Sequence, residues 1–164
     1  VDPIHRSKGD INETAGDGLM IIFKEDDIKT NAINSIKAAF DIHQQSLACN
    51  RELPSHMDPL KVNMGIHCGT ALLGMTRFKG SIDTRMTYTA SGNVTNLAAR
   101  LAGHARGGDI LIAEETRKLI NGLWPVFDKG TAILKGIEKP VHVYSLLRAH
   151  PGSEQRQQTK NEVQ

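Results

Sequence analysis

A chain of 164 residues with 39% hydrophobic content is long enough for one domain with its own core. Its 20 Lys and Arg against 18 Asp and Glu are mixed along the chain, and 4% of residues are aromatic, which excludes a basic nucleic-acid footprint and a base-stacking platform. No apolar run approaches the roughly 18 residues of a membrane span, and no secretory pattern opens the chain. Cys49 and Cys68 lack metal or redox spacing, so free thiols in a reducing cytoplasm are expected. The chain begins at Val1 rather than Met, which reads as a fragment or an excised domain.

Residues 1–8 read as the end of a helix or a connection. Two extended segments over residues 10–23 then flank Gly16-Asp17-Gly18, whose glycines can take conformations denied to residues with a Cβ. Leu19, Ile21 and Phe23 alternate with Met20 and Ile22; both sets are apolar, which predicts a strand buried on both faces. Asp17 at the tip suits a hard cation, which prefers oxygen ligands. Plain hairpin turn chemistry is the other reading, and this stretch alone favours it.

Asp26 or Asp27 is the expected N-cap of a helix over residues 28–47. Its inward stripe is Ala32, Ile33, Ile36, Ala39, Phe40, His43 and Leu47, with His43 a core-edge histidine. Residues 50–59 read as loop. Residues 61–69 alternate as a strand, and residues 70–73, between Gly69 and Gly74, are its expected hairpin partner. Residues 75–82 read as a basic, glycine-containing loop and residues 83–89 as a further strand. A short helix over residues 94–102 turns Leu97, Ala98 and Leu101 inward and puts Asn96 and Arg100 on one face. A strand over residues 109–112 and a helix over residues 113–121, closed by Gly122, come next. Two strands, residues 132–136 and 141–147, surround a turn at residues 137–140. Residues 149–164 are polar, without periodicity, and are expected to be a disordered tail. Hairpins mixed with helices of unequal length predict an α+β sandwich rather than a doubly wound parallel sheet.

Four stretches, read together, resemble the class III nucleotidyl cyclase catalytic domain, the adenylate and guanylate cyclase family. They are Gly16-Asp17-Gly18-Leu19-Met20-Ile21-Ile22-Phe23, Met64-Gly65-Ile66-His67-Cys68-Gly69, Tyr88 through Leu101 (Tyr-Thr-Ala-Ser-Gly-Asn-Val-Thr-Asn-Leu-Ala-Ala-Arg-Leu), and Leu134-Lys135-Gly136-Ile137-Glu138-Lys139-Pro140-Val141. Each is weak alone; four in order form a strong signal over roughly residues 5–147. The resemblance implies a ferredoxin-like α+β fold acting as a homodimer, each site built from two chains. It implies conversion of ATP or GTP to the 3′,5′-cyclic monophosphate and pyrophosphate, for second-messenger signalling in the cytoplasm under a regulatory domain of a longer parent.

In such a reaction the substrate's own 3′-hydroxyl attacks the α-phosphorus, so the protein positions the triphosphate and stabilises charge. By the resemblance, Asp17 is one of two carboxylates holding a pair of Mg²⁺ or Mn²⁺ ions, about 4 Å apart as in other two-metal sites. Arg100 meets the phosphates in the transition state, a task suited to a planar guanidinium. Asn96 orients the ribose, and Lys135 contacts the terminal phosphates. Glu13 and Thr89 match the base-contacting positions. A carboxylate accepts from guanine N1–H and the exocyclic amine, whereas it opposes acceptor to acceptor at adenine N1, so Glu13 leans the site towards GTP.

The family's other metal aspartate has no counterpart before Asp17. The expected assignment is therefore a catalytic domain over residues 1–148 that lacks its N-terminal strand and helix, and is weakly active or inactive as it stands. The alternative is a non-catalytic cyclase-homology domain that binds nucleotide or dimerises.

Overall fold

The computed structural model describes residues 2–79 and 84–148; the side chains of Glu13, Ala15 and residues 72, 73, 75–79 and 84–91 lie outside that description. The expected tail at residues 149–164 lies outside the described residues. Helices are α1 (Asp2–Arg6), α2 (Ile28–Glu52), α3 (Asn93–His104) and α4 (Glu114–Ile120). Strands are β1 (Gly9–Ala15), β2 (Gly18–Phe23), β3 (Met64–Ile66), β4 (Leu72–Lys79), β5 (Thr84–Ser91), β6 (Ile110–Ala113), β7 (Val126–Ala132) and β8 (Val141–Leu146).

The core is built around β6, whose four residues are all buried. Alternation divides them between two clusters. Ile110 and Ile112 face Ala32, Ile36 and Ala39 of α2 and Ile120 of α4. Leu111 and Ala113 face Leu101 and Ala105, at and just beyond the end of α3, together with Leu134 and Val143. Burial of each large side chain here contributes about 2 kcal/mol. The sheet runs β3-β6-β8-β7. β3 lies parallel to β6, while β8 is antiparallel to both of its neighbours, β6 and β7. Two further hairpins, β1-β2 and β4-β5, complete an α+β architecture.

Two close contacts set the geometry. A Cβ on Gly65 of β3 would sit 2.3 Å from both Ala102 N and Ala98 O, so α3 lies directly on the strand backbone. At the start of α2, the Asp27 carboxylate accepts from Lys29 N–H (3.2 Å), Thr30 N–H (2.9 Å) and the Thr30 hydroxyl (2.6 Å). These bonds hold Asp27 below the ordinary carboxylate range, led by the Thr30 hydroxyl.

The structure revises several expected elements. α2 runs on to Glu52, where Leu53, extended before Pro54, ends it. Residues 70–73 do not pair with β3. Instead β4 pairs with β5 over eight residues each, from Leu72↔Ser91 to Lys79↔Thr84, so residues 75–79 are strand rather than loop. Backbone ladder bonds, not an apolar pattern, define that hairpin. The strand expected at residues 132–136 lies earlier, as β7, where a register shift between Asp128 and Thr131 and exposed polar residues mask its alternation. β2 is half-buried rather than buried on both faces, and Leu19 is 55% exposed, because its ladder partner is β1 alone.

Candidate active site

α3 places two of the expected residues. Gly92, with φ of 135°, precedes the helix, and Asn96 N–H donates to Gly92 O at 3.3 Å within its first turn. Leu101 is fully buried while Asn96 and Arg100 are exposed on the opposite side, one turn apart. The helix thus uses one face for packing and leaves Asn96 and Arg100 exposed.

Lys135 sits in a turn rather than in the strand expected of it. Ile137 N–H donates to Leu134 O at 3.0 Å, and Gly136 takes the positive φ (77°) that the third position of such a turn favours. Leu134 is buried with Leu101, which ties the turn to α3. The consequence is an approach between distant parts of the sequence: Arg100 Nη2 lies 3.9 Å from where a Cβ on Gly136 would stand. The guanidinium therefore rests against the turn that carries Lys135. Among the described residues neither cation is engaged in an ion pair, whereas Lys8, Lys24, Arg117, Lys118 and Lys129 are. Both cations are exposed.

Asp17 stands exposed at the β1-β2 turn, after Gly16 with φ of 63°. A register shift between Ile11 and Glu13 kinks β1 just before it. β5 touches both β1 and α3, so it links the hairpin to the helix. The side chains of Glu13 and Thr89, the expected base contacts, lie outside the described residues. Among the described residues no three His, Cys, Asp or Glu side chains converge to hold a metal ion. Asp17 alone does not fit a two-metal cage.

Other perturbed groups sit away from this turn. Burial lowers His67 against the raising effect of Glu115, and it raises the Cys68 thiol against a bond with Thr116. Burial raises Asp109, but hydrogen bonds from Lys129, Arg106 and Ser145 outweigh it and leave the carboxyl lowered. Gly136 and Gly65 are the positions whose structural part residue-by-residue reading did not single out.

The model of the adenylate and guanylate cyclase catalytic domain matches residues 4–148. The chain belongs to that family. A terminal-differentiation-specific adenylate cyclase of Dictyostelium discoideum is 33% identical over 146 residues, which cover 86% of this chain and 7% of that protein. A receptor-type adenylate cyclase of Trypanosoma brucei brucei is 28% identical over 148 residues, covering 82% and 12%. The cyclase domain thus spans a small part of the length of these curated relatives. Among solved structures, the adenylyl cyclase CyaB of P. aeruginosa superposes with a TM-score of 0.77 at 28% identity, covering 92% of this chain and 77% of that one. The fold is that of class III cyclase catalytic domains. No helix of the described residues is long and apolar enough to cross a membrane.

Proposed function

We propose that this cyclase domain takes a purine nucleoside triphosphate, with a lean towards GTP, and closes it to the 3′,5′-cyclic monophosphate. In that step the 3′-hydroxyl gives up its proton to water and its oxygen bonds to the α-phosphorus, the bond from the α-phosphorus to the bridging oxygen breaks, and pyrophosphate leaves. The observation that carries the reading is the approach of Arg100 to the Lys135-Gly136 turn on a cyclase fold. Lys135 binds the terminal phosphates as a point charge, and Arg100 matches the charge that grows at the α-phosphate as the leaving bond lengthens. Asn96, one turn before Arg100, orients the ribose so that its 3′-hydroxyl lies in line. Glu13 accepts from the guanine edge, and Thr89 serves either purine because a hydroxyl donates and accepts. Asp17 is offered as a carboxylate ligand for the divalent ion that accompanies the triphosphate. Two copies acting as a homodimer, inside a longer cytoplasmic signalling protein, complete the proposal.

Cyclic product formed from GTP and from ATP, with Mn²⁺ present, tests it. In the longer parent chain, turnover of GTP above ATP, falling about 100-fold or more in Arg100→Ala, is the expected result, whereas the 164-residue chain alone is expected to be weakly active or inactive. Tight binding of a non-hydrolysable GTP analogue without any product would favour the non-catalytic binding module.

A further inference from the structure

A groove of about 480 Å³ runs between the second half of α2, residues 59–62 and the end of β8. Leu47, Leu60 and Leu147 stand along it at 48%, 54% and 45% exposure, although they come from three separate segments. Phe40 and Val62 line it more deeply. Its walls are pinned in place. Asn50 Nδ2 donates to Leu60 O at 2.9 Å, Leu60 N–H donates to Asn50 Oδ1 at 2.7 Å, and His43 donates from Nε2 to Val62 O at 2.8 Å. The apolar surface is thus preformed and needs little ordering to bind.

Its charge is one-sided. Lys61 and Arg148 line the groove, and both are exposed. Asp109, the acidic residue of its lining, is already taken by Lys129 Nζ at 2.6 Å, Ser145 Oγ at 3.1 Å and Arg106 N–H at 3.3 Å. Asp58 precedes the lining segment and is not part of the wall. Walls left half exposed cannot enclose most of a small ligand's surface, as small-molecule pockets do. Three exposed leucines and two exposed cations in one lining match the apolar anchors and charged flank of an amphipathic helix. The sequence after Arg148 is not that helix, being polar with Val163 as its one branched aliphatic residue.

We propose that this groove docks an amphipathic α-helix of a partner protein, with leucine-like anchors on one face and carboxylates beside them. The test uses two designed helical peptides of about 15 residues, about 22 Å long. Both repeat leucine at helical spacing, one flanked by glutamates and the other by lysines. Binding to the full chain is followed by fluorescence anisotropy, with circular dichroism confirming that each variant is folded. The acidic peptide is expected to bind saturably and at least about tenfold more tightly than the basic one. Leu60→Asp and Leu147→Asp should each weaken it about tenfold or more, and Lys61→Glu should narrow the preference between the two peptides. No saturable binding at millimolar peptide, equal affinity for both peptides, or indifference to Leu60→Asp would each overturn the proposal. So would cross-links from Lys160 to Lys61 in the free chain, which would make the chain's own end the occupant.

Discussion

Arg100 shows how little separates an ordinary surface side chain from a proposed site residue. On its helix it is simply an exposed cation, and only the tertiary fold brings its guanidinium to the backbone of the turn that carries Lys135. The conformation of Gly136 matters because a left-handed φ costs an L-residue about 1–2 kcal/mol. Gly136→Val should therefore shift the turn under Arg100. The expected outcome is a drop in the affinity for a GTP analogue of about tenfold, with the fold intact by circular dichroism. Unchanged affinity would separate the turn from the phosphate site.

At the scale of the elements, α3 starts at Gly92, which has no side chain to cap it, and rests on contact with β3. Gly65 is the position that lets it approach β3, and a methyl group there would meet backbone atoms that cannot rotate away. Gly65→Ala is expected to destabilise the domain by about 1–3 kcal/mol, read from the urea midpoint, with weaker nucleotide binding because Asn96 and Arg100 move with the helix. Between α4 and β8, Glu114 accepts from Arg117 Nε at 2.9 Å and from Arg117 Nη2 at 3.1 Å. Arg117 also lies 5.2 Å from the centre of the Tyr144 ring. The Arg117 bond, followed by one from Tyr144, lowers Glu114 to about 2. A carboxyl lowered by folding stabilises the folded state above its unfolded value, near 4.3, and loses that effect as pH falls towards the folded value. The urea midpoint should thus fall between about pH 5 and about pH 2, and fall less in Glu114→Gln. Comparison with that variant isolates Glu114 from Asp27, Asp109 and Asp128, which are also lowered.

For the whole molecule, the proposed site draws on the hairpin that carries Asp17 and on the helix and turn that carry Arg100 and Lys135. If two copies share each site, Asp17→Asn and Arg100→Ala damage opposite halves of it. Mixing these two variants, made in the longer parent chain, should restore about a quarter of its unmutated turnover, since half of the dimers are mixed and each keeps one intact site. No recovery on mixing would mean that each copy carries its own complete site.

Much of the fold was legible in the order of residues. The α2 stripe as far as His43, the Asp27 cap, the glycine-flanked turn at Asp17 and the apolar run of β6 all rest on interactions within a few residues, so local pattern determined them, whereas Leu47, expected inward, is 48% exposed. The four cyclase motifs carried the family for the same reason. What local pattern could not determine was pairing and approach. β4 finds β5 through backbone bonds that any side chains permit. β7 hides its alternation behind a bulge at the sheet edge. The strand buried on both faces is β6 rather than β2, because burial depends on which helices cover a strand. The turn at Asp17 was readable from its glycines alone. The meeting of Arg100 with Gly136, more than thirty residues apart, exists only because Leu101 and Leu134 share one core.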